Sequence, residues 1–369
     1  MVKKGENIYK RKDGRWEGRF TKNRNEQGRI IYGYVYGKCY SEVKEKLSVK
    51  KAQYLTLSQD EYTYHGTVAE WMIYWLEHSI KDTIKLSTYS NYKGKTEKHI
   101  IPFFGNIQLK DLKRQDIEAF IRYLASNHLS NSTIQNIVNL LKSAIKEAVR
   151  EEKIYQNPCK HLLLPSAQKS SVRALSAKDQ RKLEQAALLE EESSAIIIAL
   201  YTGMRIGEIS GLRWTDIDWS ENIIYVRRTI SRIPSTTMVG KTEILIDLPK
   251  TQTSLRAIPL STNLKKYLHN KKQAATGNYV VNCKGDFTEP RIISYRFKKV
   301  LKQSGINPVS FHSLRHTFAT RCLEQGADIA TLSKILGHSS VKMTLDTYTD
   351  SLWESRQLAL KKVDKSLSI

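Results

Sequence analysis

The sequence has few cysteines, and their spacing excludes two classes of site. The four cysteines lie far apart and form no CxxC pair; they are Cys39, Cys159, Cys283 and Cys322. Neither a zinc knuckle nor a disulfide framework is therefore indicated. A reducing compartment fits this cysteine usage.

Long apolar stretches are missing as well. The longest purely apolar run, Ala195 to Tyr201, is well short of the roughly 20 residues that cross a bilayer. The N-terminus, MVKKGENIYKRKDG, lacks the apolar stretch of a signal peptide. We expect the protein to stay in the cytoplasm, where it is made, with no membrane partner.

Acidic residues are scarce relative to basic ones. The 37 Asp and Glu residues stand against 60 Lys and Arg residues, which gives a formal net charge of +23. Such an excess attracts polyanions, so nucleic acid is the leading partner. A membrane-surface protein could share this balance, but it usually concentrates the charge on one amphipathic helix.

The first part of the chain predicts a small basic sheet domain. Residues 7–38 alternate in the manner of three short strands, and a helix of about residues 41–54 follows. Basic residues of the strands are interleaved with aromatic ones: Trp16, Phe20, Tyr32, Tyr34 and Tyr36. These aromatics could form the core of the domain, or they could lie on a face that enters a DNA groove.

The rest of the chain is mainly helical. Residues 65–157 have helical periodicity and predict a compact four-helix unit. A linker rich in serine and proline precedes a helix capped at Ser176, and we expect helices around 177–190 and 193–212. Three strand-like segments follow, and helices dominate from Pro290 onward. The 369 residues thus suggest two or three domains.

The stretch FHSLRHT, residues 311–317, allows three interpretations. His312 and His316 share a helix face, as the histidines of zinc proteases do. Two histidines are too few ligands for a metal ion, and the neighbouring Arg315 would repel it, so we expect no metal here. With Ser310 as the N-cap, His312 lies in a first turn that favours phosphate, and Arg315 adds a bidentate fork. His316 is best explained as a buried structural histidine.

A second arginine, Arg205, falls within the apolar segment AIIIALYTGMRIGEISGLRW, which predicts a helix. Charges in such a segment are costly unless they are paired. Glu208 could form a structural ion pair with Arg205, or it could orient Arg205 toward an external anion. The residues alone leave both interpretations open.

Three further residues have ordinary explanations when each is taken alone. Tyr348 continues the stripe of Val341 and Leu345 at helical spacing, which is typical of a core position. Lys250 would be a solvated turn lysine, and His338 would be a loop residue after Gly337. Only the order of the motifs along the chain distinguishes them.

In that order the chain reads YTGMRIGE, PKTQTS, HSLRHTFAT, LGHSS and TYTD. Together these motifs resemble the tyrosine recombinase family of phage-type integrases, including those of temperate phages and conjugative transposons. The resemblance implies a multidomain fold. It consists of a three-stranded sheet with a helix that binds arm-type DNA sites (residues 1–60), an all-α core-binding domain (65–165), and a mixed, mainly α catalytic domain with a small sheet and a tail helix (172–369).

The resemblance also implies the roles of individual residues. Tyr348 matches the nucleophile, and Arg205 and Arg315 match the clamp on the nonbridging phosphate oxygens. His312 and His338 match the phosphate-contacting histidines. Lys250 matches the hairpin lysine that protonates the leaving 5′ oxygen, and Glu208 matches the acidic residue that supports the site. No metal or cofactor is implied.

The implied function is integration, and excision, of a mobile genetic element. One strand per site is cut through a 3′-phosphotyrosine link, and strands are exchanged through a Holliday junction. The implied partners are double-stranded DNA at core and arm sites, a homotetramer on two duplexes, and an excisionase or a host DNA-bending protein. Such a protein would be associated with the nucleoid.

Three alternatives remain open from the sequence. A type IB topoisomerase shares the nucleophile and the cationic clamp but religates the same strand. A noncatalytic regulator and a metal-dependent nuclease fit less well, because the motif residues of the recombinase are all present.

The end of the chain predicts a last helix with one apolar face, formed by Trp353, Leu360, Val363 and Leu367. We expect this helix to dock on a neighbouring protomer.

Overall fold

The structure is a computed structural model. It describes residues 7–24, 30–61, 64–166, 174–235, 241–247, 255–283, 285–348, 360 and 363–364, and for residues 22–24, 53–61 and 346–348 it describes the backbone alone. The chain forms two compact units, Met1–Gln168 and Lys169–Ile369, and each is described by itself. Within the described residues, no helix combines the length and apolar character needed to cross a membrane.

The first unit begins with the predicted antiparallel sheet. Its strands are β1 (Ile8–Lys10), β2 (Trp16–Arg24) and β3 (Ile30–Gly37), in the order β1-β2-β3, followed by helix α1 (Tyr40–Glu61). Because side chains alternate across a sheet, one face packs on α1 through buried Ile8 and Phe20, which meet Val43 and Leu47.

The aromatic residues of this sheet divide between its two faces. Phe20 is buried and Trp16 packs against the same small core. Tyr32, Tyr34 and Tyr36 are exposed on the opposite face. The core interpretation therefore applies to Phe20 and Trp16. The exposed face carries Tyr32, Tyr34 and Tyr36, and its entry into a DNA groove stays a prediction.

Four helical segments complete the first unit, as predicted. They are α2 (Val68–Tyr74) with a π-helical extension (Trp75–Ile80); α3 (Leu86–Lys95), which continues through π-helical Thr96–Ile100 into α4 (Ile101–Phe104); α5 (Arg114–Ser126); and α6 (Asn131–Arg150). Thr67 and Glu70 form a capping box at the start of α2. The core is apolar, and at its centre the indole N–H of Trp71 donates to the carbonyl of Ala144 at 2.9 Å.

The second unit opens with helix α7 (Ala177–Leu189), and its predicted cap is confirmed. The hydroxyl of Ser176 accepts the backbone N–H of Asp179. The next helix, predicted over 193–212, is wrong as a single element. It is α8 (Ser194–Thr202), a break at Gly203 with φ +64, and α9 (Ile206–Ser210). Helix α8 is buried on nearly all sides, as expected for a helix that is apolar all round.

The strands of the second unit form three small sheets. β4 (Ile217–Asp218), β5 (Ile223–Val226) and β8 (Arg256–Pro259) are ordered β4-β5-β8; β6 (Thr229–Pro234) pairs with β7 (Thr242–Asp247); and β9 (Asn282–Cys283) pairs with β10 (Asp286–Phe287). All pairs are antiparallel. Strand β6 packs on helix α9, and buried Ile224, Val226 and Ile258 of β5 and β8 join the main core of the unit.

Helices α10 (Thr262–Gln273), α11 (Pro290–Gln303), α12 (His312–Glu324), α13 (Ile329–Leu336) and α14 (Val341–Tyr348) complete the second unit. Its main core joins α8 to α11 and to Phe311 and Leu314 at the start of α12. The predicted cap of α12 is wrong by one residue. Phe311 is the N-cap, and the hydroxyl of Ser310 lies 3.3 Å from that of Ser313.

Candidate active site

Arg205 stands at the start of a helix, not inside one. Gly203 adopts a left-handed conformation that ends α8, and Arg205 then occupies the extended N-cap position of α9. Its backbone N–H donates to Glu208 Oε2 at 2.9 Å, and its Nη1 donates to Glu208 Oε1 at 2.8 Å. The ion pair considered from the sequence therefore exists. The Arg205 side chain nevertheless remains 39% exposed, so it is held in place and open to an external anion.

Glu208 is a buried carboxylate shared by two arginines. It is 4% exposed, and Arg256 donates to both of its oxygens, at 2.8 Å from Nη2 and 3.1 Å from Nη1. Burial alone raises the pKa of Glu208, but the hydrogen bond and charge of Arg256 and the charge of Arg205 outweigh it and lower the pKa to about 2. Glu208 is thus ionised near pH 7.

Arg256 is a residue of the site that the motifs did not indicate. It opens strand β8 and its side chain is only 5% exposed. A signal was present in the sequence, because an arginine at the start of the apolar strand RAIPL is costly there unless it is paired. Its partner, however, is distant along the chain.

The end of helix α13 provides the acceptors that gather the arginines. Gly337, with φ +67, ends the helix, and its N–H donates to the carbonyl of Lys334 while the N–H of His338 donates to that of Ser333. This Schellman arrangement satisfies two terminal carbonyls and leaves the next three in need of donors from outside the helix.

Three guanidinium groups supply those donors, one to each of three consecutive carbonyls. Arg256 Nε donates to Ile335 at 2.6 Å, Arg315 Nη2 to Leu336 at 2.7 Å, and Arg205 Nη2 to Gly337 at 3.3 Å. The negative end of a helix dipole favours such cations. Arg315, 2% exposed, also donates through Nη1 to Gly203 at 2.8 Å.

His338 follows directly from this helix end. Its Nδ1 lies 2.7 Å from the hydroxyl of Thr344, a buried residue of α14. Burial, together with the positive charges of Arg315, Arg205 and Arg256, lowers the pKa of His338 to about 4. The imidazole is therefore neutral near pH 7, and its contact with Thr344 ties the cationic cluster to α14.

The two histidines of α12 differ as expected. His316 is buried at 8% exposure, and burial with the charges of His312 and Arg315 lowers its pKa to about 4. His312 is exposed at the start of the helix, and its pKa is lowered by desolvation and by the charges of Arg315 and Arg205. The rings lie edge to face with centroids 4.9 Å apart.

Tyr348 and Lys250 are defined less completely. Tyr348 is the last residue of α14, one turn after Thr344, and its side chain lies outside the description. Lys250 lies outside the described residues. The described strands nearest to it along the chain, β7 and β8, belong to different sheets. The stripe that suggested a core position for Tyr348 is exposed at Val341 and Leu345.

The geometry brings Arg205, Glu208, Arg315, His312 and His338 together from distant parts of the sequence. Three guanidinium groups and one carboxylate share this place, so positive charge is in excess. Neutral imidazoles beside them can donate or accept hydrogen bonds. Such a site is suited to a phosphate that gains negative charge during a reaction.

The fold defines the class of protein. The integrase of the Tn1549 transposon, solved with circular intermediate DNA, has a TM-score of 0.69 at 22% identity over 80% of this chain and 99% of that one. A lambda integrase tetramer bound to a Holliday junction has a TM-score of 0.59 at 19% identity over 92% and 97%. The chain therefore has the tyrosine recombinase fold.

The chain belongs to the phage integrase family, whose model matches residues 168–354, and residues 67–125 match the SAM-like N-terminal domain of phage integrases. The XerC-like tyrosine recombinase of Caldanaerobacter subterraneus subsp. tengcongensis is 26% identical over 93% of this chain and 94% of its own length. The ICEBs1 integrase of Bacillus subtilis is 27% identical over 72% and 74%. The protein is a tyrosine-type site-specific DNA recombinase, and a covalent protein–DNA intermediate is characteristic of this family.

Proposed function

We propose that this chain integrates and excises a mobile genetic element, with Tyr348 as nucleophile and with Arg205, Lys250, His312, Arg315 and His338 as the other catalytic residues. The observation that carries the proposal is the gathering of Arg205, Arg315 and His338 around the end of α13. These residues are remote in sequence, and they meet at one helix end, where their positive charge is in excess and suits an anion.

The proposed chemistry begins with the phosphate. Attack on a phosphodiester increases the negative charge on its equatorial oxygens, and fixed guanidinium groups stabilise that charge without reorganisation. Arg205 and Arg315 donate to adjacent carbonyls, so their guanidinium groups are neighbours and can each take one nonbridging oxygen. His312 and His338, neutral near pH 7, serve as hydrogen-bonding partners of the same phosphate.

The covalent step requires a nucleophile and an acid. A tyrosine hydroxyl has a pKa of about 10 and attacks more readily where cationic groups stabilise its phenolate. In the proposed step His312 takes the proton of the Tyr348 hydroxyl, and the Tyr348 oxygen bonds to phosphorus. The bond to the 5′ oxygen breaks, and Lys250 gives that oxygen a proton. The phosphotyrosine conserves the energy of the broken link, so rejoining to another strand needs no ATP.

The N-terminal sheet supports the proposed contact with arm-type sites by residues 1–60. Its exposed face carries Tyr32, Tyr34 and Tyr36, and arginines lie over two of these rings, Arg19 4.2 Å from the centroid of Tyr32 and Arg11 5.7 Å from that of Tyr36. A basic, aromatic sheet face suits a DNA groove. Residues 65–165 would bind the core site and residues 172–369 would carry out catalysis.

The proposed assembly is a homotetramer on two duplexes, because strand exchange joins two sites. Leu360 and Val363 of the tail are exposed, which is consistent with docking of the tail on a neighbouring protomer; Trp353 and Leu367 lie outside the described residues. An excisionase or a host DNA-bending protein would set direction, and the protein would act on the bacterial nucleoid in the cytoplasm.

Two-site recombination tests the proposed function. The full chain is incubated with two DNA molecules that carry the ends of the element and its target, and the products are sequenced. We expect new junctions that combine both molecules. Relaxation of a supercoiled plasmid without such junctions would instead identify a type IB topoisomerase, and activity lost in EDTA would indicate a metal-dependent nuclease.

A further inference from the structure

Arg256 holds a central position in the site without facing outward. All three of its guanidinium nitrogens have partners: Nη1 and Nη2 bind Glu208, and Nε binds the carbonyl of Ile335. Because each of these nitrogens already has a protein partner, Arg256 is placed to hold protein groups.

The groups that Arg256 holds are those that orient the clamp. Glu208 accepts from both the side chain and the backbone of Arg205. Ile335 belongs to the same helix end whose next two carbonyls bind Arg315 and Arg205. Arg256 therefore connects the start of α9 to the end of α13, the two elements that fix the arginines of the clamp.

Arg256 also changes the charge that the clamp presents. Without it, the buried carboxylate of Glu208 would be balanced by Arg205 alone, which would draw that guanidinium inward and neutralise it. With Arg256 present, the carboxylate has a buried counterion, and the charge of the exposed Arg205 remains available to an external anion. Gly337 leaves room for this side chain, because a Cβ at that position would lie 2.9 Å from Arg256 Cδ.

We propose that Arg256 is a positioning residue of the recombination reaction, which acts through Glu208 and the end of α13 to hold Arg205 on the phosphate. The proposal rests on the proposed function of the site. It assigns a role in strand cleavage to a residue outside the matched motifs. It predicts that the loss of Arg256 slows cleavage because Arg205 is then misplaced.

The test measures single-turnover formation of the covalent adduct at saturating DNA, with the full chain and a nicked duplex that carries the joined ends of the element. Arg256→Met is expected to slow the adduct about 100-fold, the scale on which a small misplacement of reacting groups acts. Arg256→Lys keeps the charge but not the fork, so its rate should lie between those of Arg256→Met and the wild type.

A matched control separates positioning from stability. Arg228 makes a comparable bidentate pair with buried Asp216 and is 17% exposed. Arg228→Met should lose stability but keep the wild-type rate in its folded fraction. Equal slowing by Arg228→Met and Arg256→Met would overturn the proposal. If Arg256→Met does not fold, Arg256→Lys decides, and a wild-type rate in that variant would also overturn it.

A double-mutant cycle tests the route of action. If Arg256 acts through Arg205, Arg256→Lys should add little to the loss caused by Arg205→Lys, because the two changes remove one function. Fully multiplicative losses would refute a shared route. An absence of adduct with the wild-type chain would instead refute the proposed function, so the two failures are distinguishable.

Discussion

Replacement of Glu208 by glutamine should destabilise the second unit by an amount that depends on pH. The folded pKa of Glu208 is about 2 against an ordinary value of 4.5. Because each pKa unit is worth about 1.4 kcal/mol, this difference corresponds to about 3 kcal/mol of unfolding free energy at pH 7. The same size is expected for the removal of one partner from a buried ion pair.

The sign of the pH dependence follows from the lowered pKa. The stabilisation by Glu208 is present above pH 4.5 and is lost as the pH falls from there toward 2, since the unfolded chain then binds a proton that the folded protein does not. The difference between the wild type and Glu208→Gln should therefore shrink to less than half of its pH 7 value at pH 3.

Urea denaturation of the full chain, followed by circular dichroism at pH 7 and at pH 3, measures this difference. Glu289 offers a control, because its pair with Arg232 is more exposed, with side chains 26% and 34% exposed, and Glu289→Gln should cost less than about 1 kcal/mol. A loss in Glu208→Gln that is equal at both pH values, or no larger than that of Glu289→Gln, would show that the buried carboxylate is not held as described.

Three further predictions concern the helix end and the tail. Gly337→Ala and Gly326→Ala both place alanine at a positive φ, which costs about 1 kcal/mol of stability, but only the added Cβ at Gly337 meets Arg256. We therefore expect only Gly337→Ala to slow adduct formation. Equal slowing by the two variants would contradict this. Thr344→Val removes the contact with His338. It should slow formation of the adduct about 10-fold and leave DNA affinity unchanged in a gel-shift assay; an unchanged rate of cleavage would show that this contact has no role in the reaction. Truncation after Ser351 should block tetramer assembly on two duplexes in gel filtration, and unaltered assembly would exclude tail docking.

Much of the site could be predicted from the order of its motifs. The structure places Arg205, Glu208, His312, Arg315 and His338 together, and it buries His316 as the sequence suggested. The strands of the N-terminal sheet and the cap at Ser176 were also predictable, since alternation and capping depend on neighbours in the chain.

The remaining features depend on contacts between distant residues. A helix through Arg205 is what local apolarity predicts, yet Gly203 ends it in a conformation where a Cβ would lie 2.5 Å from Phe318. Arg256 was missed because Glu208 and Ile335, its partners, lie far away in sequence. The stripe before Tyr348 has the spacing of a core face, but burial is decided by what packs on it, and Val341 and Leu345 are exposed.

The role of Tyr348 can be tested most directly with a nicked suicide duplex. The nick releases the short strand after cleavage, so that the protein remains attached to the DNA and migrates as an adduct on a denaturing gel. We expect an adduct with the wild-type chain, with a digested peptide that carries the nucleotide on Tyr348, and none with Tyr348→Phe, which should still bind the duplex. An adduct that persists in Tyr348→Phe would remove Tyr348 from the reaction and contradict the proposed mechanism.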